Sequence, residues 1–305
     1  MHADLVERSS PSSPQPEPVT PARRPSERWR GRIASANRRF YLRRKAATQR
    51  LRALAGHRPE RRPVFLAGVH RSGTNMMIET LEWHPRTQVF REGDPRAFDS
   101  FLMRPRPVIE ALIDRSPADR VVVKALHETE QLSELLRLRP GAQAIWMFRD
   151  WRDVVNSILA RWPGGRNGVD RILQGVDTAS WRGRGMRAET RARLTAVYRP
   201  ELDDASVNAL FWIFRNQLLF DQGLDADHRV ALIDYDALMR APAPQLTALA
   251  TFLEVPLPPR LLRIASADKI RKKAPPAVVP EVAALADEML ARLRDAHARS
   301  PFAAG

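Results

Sequence analysis

Cysteine is absent from the 305 residues of this sequence. The absence excludes a disulfide framework and a thiolate metal site, and it suits a reducing compartment. Long apolar runs are also missing, because no stretch approaches the roughly 18 apolar residues that a bilayer-spanning helix needs. The first residues lack the apolar segment of a secretory signal. We therefore expect a cytoplasmic protein, with peripheral contact to a membrane as a further option.

Acidic residues are scarce at the start of the chain. Residues 1–62 contain 16 Lys or Arg and 5 Asp or Glu, a surplus of 11 positive charges. The remaining residues contain 34 and 30, so most of the net charge of +15 lies in the first segment. Because the rest of the chain is only mildly basic, the high isoelectric point does not by itself indicate a nucleic acid partner, and we do not expect one.

Composition divides the chain into three segments. Residues 1–26 are rich in Ser, Pro and Glu, which predicts a disordered tail. Residues 27–61 are predicted to form a basic amphipathic helix, over about 27–56, followed by a linker. Its apolar residues recur every three or four positions: Trp29, Ile33, Ala36, Phe40, Ala47, Leu51 and Leu54. This stripe could pack on the following domain with the arginines in water, lie on anionic lipid, or flank a nucleic acid contact; we favour the first interpretation.

Residues 62–305 alternate between short apolar runs and helical patterns, which predicts one α/β domain. Buried strands are expected at 63–68, 120–124, 143–148 and 229–234. Helices are expected at 74–83, 128–139, 151–161, 204–222, 243–253 and 278–298. The alternation predicts a three-layer, P-loop-like fold whose central, mostly parallel sheet is flanked by helices. The Gly- and Arg-rich segment Trp162–Met186 is a candidate flexible lid or acceptor loop.

The first motif joins a predicted strand that ends at Gly68 to a helix that opens near Thr74. Such a turn points backbone N–H groups and a helix N-terminus at an anion. Gly68 and Gly73 have the spacing of a nucleotide P-loop, but the Lys and Ser/Thr that should follow are replaced by Thr74 and Asn75. The positive charge lies upstream instead, at Arg71. Because that Lys and Ser/Thr are missing, the motif indicates an anion site that works without a metal.

The second motif begins at Arg149, at the C-terminal end of a predicted strand, where open α/β sheets bind their ligands. Ser157 follows eight residues later, and Arg161 lies one helical turn beyond it on the same face. Together these side chains could grip a second phosphate group. A surface Arg–Asp pair beside a helix capped by Asp150 is the alternative.

In these two motifs the chain resembles the sulfotransferases that use 3′-phosphoadenosine-5′-phosphosulfate (PAPS). Their 5′-phosphosulfate loop reads (Lys/Arg)-Ser-Gly-Thr-Thr, and their 3′-phosphate motif is a strand ending in Arg with a Ser eight residues later. The matching residues here are Arg71, Ser72, Gly73, Thr74, Asn75, Arg149 and Ser157. The likeness covers roughly residues 62–275 and is nearest to the tyrosylprotein sulfotransferases and related bacterial enzymes. It implies a transferase that binds PAPS, releases adenosine 3′,5′-bisphosphate (PAP) and needs no metal.

The resemblance also implies roles for single residues. A His-Pro pair, His84-Pro85, precedes the position of a catalytic Glu, which falls on Glu92. A strand-terminal Lys near the reacting group falls on Lys124, and the basic residue after the 3′-phosphate Ser falls on Arg161. Ser266–Lys273 resembles the loop that closes over the nucleotide, which makes Ser266 and Lys273 candidate ligands. The chain departs from the family at Asn75, Asp236 and Glu254.

Two questions about the chemistry stay open at this level. The general base is Glu92 or His127, which follows Lys124 by three residues. The acceptor supplies a hydroxyl or an amine, and it could be a carbohydrate, a protein, a lipid or a small metabolite. Two other classes compete with a sulfotransferase: a metal-dependent P-loop kinase or NTPase, and a non-catalytic basic scaffold that binds a membrane or a nucleic acid.

Overall fold

The computed structural model describes residues 25–256, 258, 274–300 and 302, with the backbone alone for residues 25–36. The tail predicted over residues 1–26 falls almost wholly outside the described residues, and so do Ser266 and Lys273. The domain limits drawn from composition therefore stay predictions.

The core of the fold is a sheet of five strands in the order β2-β5-β1-β6-β7, in which every neighbouring pair is parallel. These strands are β1 Arg62–Gly68, β2 Thr87–Phe90, β5 Arg120–Lys124, β6 Gln143–Phe148 and β7 Val230–Asp234. Two short strands, β3 Phe98–Asp99 and β4 Leu102–Met103, form a separate antiparallel hairpin. Because the strands of the large sheet are parallel, their C-terminal ends share one edge.

Eleven α-helices surround the sheet in the described part of the chain. They are α1 Pro25–Leu54, α2 Thr74–Glu82, α3 Arg106–Asp114, α4 Leu132–Leu135, α5 Trp151–Arg161, α6 Val169–Leu173, α7 Ala188–Val197, α8 Asp204–Asp221, α9 Tyr235–Arg240, α10 Pro242–Phe252 and α11 Pro280–Arg299. Alternate strand residues face two separate apolar layers: Phe65 belongs to the layer formed with α5, α8 and α11, whereas Leu66 belongs to the layer formed with α2, α9 and α10. The predicted three-layer α/β fold is confirmed.

Helix α1 is the clearest departure from the sequence-based expectation. Its apolar stripe does not pack on the domain, since Phe40, Leu51 and Leu54 are 64%, 65% and 84% exposed. The buried face is polar and includes Lys45 and Gln49. In the described part of the chain, no helix is both long and apolar enough to cross a bilayer.

Two connections also differ from expectation. The helix predicted over 128–139 is broken into a 3-10 turn, Thr129–Gln131, and the single-turn helix α4. The cause is the buried guanidinium of Arg215, which donates to the carbonyl of Leu126 and to the hydroxyl of Thr129 and so fixes a turn there. The segment Trp162–Met186 is not a plain loop, because it contains α6, and the carbonyl of Trp181 accepts a hydrogen bond from Arg215 at 2.9 Å.

Candidate functional site

A cleft of about 520 Å³ opens at the C-terminal ends of β1, β5 and β6. It brings together ten of the residues singled out in the sequence. These are Arg71, Gly73, Thr74, Asn75, Glu92, Lys124, His127, Arg149, Ser157 and Arg161. Arg71 and Ser157, which are 86 positions apart, meet here because the parallel strands place both sequence motifs at one edge of the sheet.

The loop between β1 and α2 forms the floor of the cleft. Gly68 has a φ of 126°, and a Cβ at this position would overlap the backbone of Met147. Gly73 has a φ of 89°, and its Cβ would overlap the ring of Tyr235. Only glycine fits both places. Arg71 also adopts a positive φ, of 70°, so the backbone curls tightly ahead of α2.

Ser72 lies beneath this floor and does not line the cleft. It is fully buried, and within the described residues its hydroxyl oxygen has no hydrogen-bond partner. A buried polar atom without a partner is costly and needs a local explanation, and a bound ion is one such explanation. The loop therefore has the features of an anion cradle: a curled backbone, a following helix N-terminus, and an unsatisfied hydroxyl.

Three arginines crowd the side of the cleft next to this loop. The Nε of Arg71 donates to the hydroxyl of Ser157 at 2.8 Å, which links the two sequence motifs directly. Burial lowers the pKa of Arg71, and the nearby charges of Arg161 and Arg149 lower it further. Like charges held this close repel one another, so the arrangement favours an anionic ligand that would neutralise them.

Arg149 is held from two sides. Its Nη2 donates to Asp153 at 2.8 Å, and its guanidinium lies 4.6 Å from the centre of the Tyr235 ring. The alternative interpretation of this motif was a surface Arg–Asp pair. An Arg149–Asp153 pair does exist, but both side chains are about 85% buried and so do not lie on the surface. The pair fixes the orientation of Arg149 toward the cleft.

Lys124 connects the anion loop to the opposite wall. Its ammonium lies 2.9 Å from Oδ1 of Asn75 and 2.5 Å from Oε2 of Glu92. The lysine is 6% exposed, so its charge is balanced by one carboxylate rather than by water. A carboxylate, an ammonium and the anion loop are therefore in contact.

A pair of histidines lies beside Glu92. The Nδ1 of His127 donates to the carbonyl of Phe101 at 2.9 Å, which leaves its Nε2 as an acceptor facing the Nε2 of His70 at 3.3 Å. Burial lowers the pKa of both imidazoles, so both rings are neutral at pH 7. The sequence analysis did not predict His70 as a site residue. Its position between the end of β1 and Arg71 would have indicated that it lies in the anion loop.

His70, His127 and Glu92 also have the spacing of a metal centre, since their donor atoms lie within 4.8 Å of one another. The surrounding field opposes a cation, however. The charges of Arg215, Lys124 and Arg182 lower the pKa of His70 in addition to burial, and the same repulsion acts on a metal ion. The cluster thus combines two imidazoles with a carboxylate that already pairs with the ammonium of Lys124.

Some residues of the sequence motifs lie away from the cleft. His84 is buried, and its Nε2 contacts the carbonyl of Pro256 at 2.7 Å. Glu254 pairs with Arg62 at 2.7 Å, at the N-terminal end of β1 and so at the opposite edge of the sheet from the cleft. Tyr235 and Phe101, in contrast, line the cleft, although the segment around Phe101 matched no pattern in the sequence.

Comparison with known proteins gives one family. A family model described as the sulfotransferase domain matches residues 61–274, which is 214 of the 305 residues. No relative among the curated proteins matches the chain.

The chain is also similar to several solved structures, each at low identity and with a TM-score below 0.5. One from Alicyclobacillus acidocaldarius has 16% identity and a TM-score of 0.46, with 80% of this chain and 97% of that chain covered. A sulfotransferase domain from the curacin biosynthetic pathway has 14% identity and a TM-score of 0.46, with 77% and 98% covered. A mouse sulfotransferase complexed with PAP has 15% identity and a TM-score of 0.35, with 73% and 72% covered.

Proposed function

Since this chain belongs to the sulfotransferase domain family, we propose that it transfers a sulfuryl group from PAPS to a hydroxyl or amine of an acceptor. The chain is an enzyme of the sulfotransferase class; the donor, the acceptor group and the residue roles are the proposal. The observation that carries it is the contact between Arg71 and Ser157, which joins two anion-binding motifs in one cleft. The closer likeness to the tyrosylprotein sulfotransferases stays a prediction.

The donor has two anionic ends, and the cleft has two matching groups of side chains. The loop Arg71–Asn75 holds the 5′-phosphosulfate through its backbone amides, Arg71 and Thr74. Arg149, Ser157 and Arg161 hold the 3′-phosphate. The two glycines that exclude a Cβ support this fit, because they let the loop backbone curl around an anion. Ser266 and Lys273, outside the described residues, are proposed to close over the nucleotide.

Glu92 is the proposed general base. It takes the proton of the acceptor group, whose oxygen or nitrogen then attacks sulfur as the bond to the bridging oxygen breaks. The electron pair of that bond passes to the 5′-phosphate, where Lys124 and Arg71 stabilise the added charge. Lys124 contacts both Glu92 and Asn75. The proposed base and the charge-stabilising group are therefore fixed next to the anion loop.

His127 is the second candidate for the base, because its Nε2 carries the free electron pair. That electron pair faces His70 in the absence of an acceptor. In the proposed mechanism Glu92 removes the proton of the acceptor group, and His127 lies beside the acceptor without taking that proton. The acceptor class itself is left to experiment.

Ligand-induced thermal stabilisation tests the donor. PAP at 100 times its Kd, with EDTA present, should raise the free energy of unfolding by about 2.7 kcal/mol and the Tm by roughly 5–10 °C. Arg71→Ala should abolish the shift, whereas Arg171→Gln, an exposed arginine on α6, should keep it. A shift with ATP that requires Mg²⁺ would point to a phosphoryl transferase, and no shift with either nucleotide would remove the proposal. Mass spectrometry of acceptors incubated with labelled PAPS then identifies the product.

A further inference from the structure

Helix α1 is attached to the domain by its polar face. Arg38 donates two hydrogen bonds of 2.6 Å to the carboxylate of Glu82, and Tyr41 donates to the carbonyl of Trp83. One and two turns further on, Lys45 donates to the carbonyl of Glu82, and Gln49 donates to two carbonyls at 2.8 and 2.9 Å. Residues 38, 41, 45 and 49 lie on one side of a helix with 3.6 residues per turn.

The opposite side of α1 carries the apolar stripe. Positions 40, 47, 51 and 54 lie about half a turn away from the docked face, and Phe40, Leu51 and Leu54 are at least 64% exposed. These are three of the seven large hydrophobic residues that are exposed among the described residues. Hydrophobic side chains concentrated on one exposed helix face indicate a binding surface.

Arginines border this stripe. Arg39, Arg43 and Arg50 lie along one edge and Arg44 along the other, and all four are exposed. Over Pro25–Leu54 the chain has ten Lys or Arg and a single acidic residue, Glu27. A recess of about 330 Å³ lies beside the stripe, between Phe40, Arg44, Thr48 and Pro85. The surface is thus apolar along its centre and positively charged along its edges.

We propose that the stripe Phe40, Ala47, Leu51 and Leu54, with its bordering arginines, binds the surface of an anionic lipid bilayer. Helix α1 lies in the plane of the interface, the apolar side chains enter the acyl boundary, and the arginines contact the lipid phosphates. The polar contacts of the opposite face hold the helix on the domain, so the whole enzyme is brought to the membrane.

Charge and polarity favour a bilayer over the two other possible partners. A nucleic acid would engage the arginines but would leave Phe40, Leu51 and Leu54 in water, because phosphate contacts carry such binding. A second copy of this chain would bring arginines against arginines, since Pro25–Leu54 offers a single carboxylate. An anionic bilayer satisfies the apolar centre and the charged edges together.

Sedimentation of the full chain with lipid vesicles tests the proposal. We expect binding to vesicles of 70% phosphatidylcholine and 30% phosphatidylglycerol, weak binding to pure phosphatidylcholine, and loss of binding as salt rises from 0.1 to 0.5 M. Arg43→Gln with Arg50→Gln should weaken binding about 30-fold, and Leu51→Ser with Leu54→Ser should weaken it at least tenfold. The matched control is Arg171→Gln with Val176→Ser, one arginine and one apolar residue that are both exposed elsewhere. All variants should keep the Tm and the PAP affinity of the parent.

Three results would overturn the proposal. The first is equal binding to neutral and anionic vesicles that neither pair of substitutions changes. The second is tight binding to duplex DNA that the arginine pair weakens and the leucine pair does not, without vesicle binding. The third is a dimer in light scattering that the leucine pair dissociates, again without vesicle binding.

Discussion

Lys124 is the residue at which the two halves of the cleft meet. Its ammonium contacts Asn75 of the anion loop and Glu92 of the opposite wall. A single charge in this position can stabilise the leaving phosphate as the proposed reaction proceeds. If these roles are correct, a substitution of Glu92 should change turnover without changing the affinity for the donor.

Replacing Glu92 with Gln should lower kcat by about 10²- to 10⁴-fold, the usual range for loss of a general base. The amide still accepts a hydrogen bond from Lys124, so the affinity for PAP should stay within a few-fold of the parent. Turnover with labelled PAPS and calorimetric titration with PAP measure the two quantities. Near-normal turnover in this variant, together with a large loss in His127→Asn, would transfer the role of base to His127.

Replacing Arg161 with Gln should separate binding from stability. The charge of Arg161 helps to lower the pKa of Arg71, so its removal relieves a repulsion in the free enzyme. We expect the affinity for PAP to fall about 10- to 100-fold, while the unliganded protein is no less stable than the parent. Calorimetry and thermal unfolding measure these effects, with Arg171→Gln as the control. A lower Tm without loss of affinity would show that Arg161 is structural.

Glu128 should give the protein a measurable dependence of stability on pH. Burial raises the pKa of this carboxyl to about 7, so between about pH 4.5 and 7 the folded state binds a proton that the unfolded state has lost. The free energy of unfolding therefore falls as the pH rises through this range, and it levels off above about pH 7. We expect the drop in unfolding free energy between pH 5.5 and 8 to be smaller in Glu128→Gln, by on the order of 1–3 kcal/mol. Denaturant titrations at both pH values test this; equal drops in both proteins would contradict it.

At the scale of elements, the turn between β1 and α2 depends on the absence of a Cβ. Gly73→Ala would force an alanine to a φ of 89° and drive its Cβ into the ring of Tyr235. We expect a stability loss of about 1–3 kcal/mol and a PAP affinity at least tenfold weaker. In a Tyr235→Ala background the same substitution should cost less, because the overlap is gone and only the backbone strain is left. Fully additive effects in this double-mutant cycle would show that Tyr235 does not confine the loop.

The strands and the helix around the second motif were predictable because each is bounded by a local signal. β5, β6 and α5 match their predicted limits, and α5 begins where the side chain of Asp150 accepts a hydrogen bond from the backbone of Arg152. β2 was missed because four residues are too few to show a period. The helix expected over 128–139 does not form as one piece because Arg215, 86 residues beyond Thr129, fixes a turn at its start.

The orientation of α1 on the domain could not be predicted from sequence periodicity. Periodicity identified the stripe that contains Phe40, Leu51 and Leu54, but it could not tell which face docks on the domain. That choice depends on Glu82 and on the backbone carbonyls around Trp83 and Pro85, which hydrogen-bond the polar face. For the cleft, the residues within each motif were predictable, whereas the contact of His70 with His127 depends on how β1 and β5 align.

At the scale of the whole molecule, α1 and the cleft are linked through one carboxylate. Glu82, at the end of α2, accepts two hydrogen bonds from Arg38 of α1 and two from Arg91, which precedes Glu92. Burial opposes the charge of Glu82, but the hydrogen bonds from Arg91 and Arg38 outweigh it and lower the pKa of the carboxyl. This contribution to stability is present above about pH 4.5 and is lost as the pH falls further.

Replacing Glu82 with Gln should therefore affect two distant places together. The neutral amide cannot pair with two guanidiniums, so α1 should exchange its amide hydrogens faster over residues 38–54. Arg91 loses its anchor, and the adjacent Glu92 should be positioned less well, which lowers kcat by roughly tenfold or less. PAP affinity should not change, because the proposed donor site is formed by the β1–α2 loop and α5. Glu110→Gln, which breaks the exposed pair with Arg106 on α3, is the matched control and should alter neither quantity. If α1 loosens while kcat is unchanged, the helix is only attached to the catalytic domain; if both change together, its docking helps to position the proposed base.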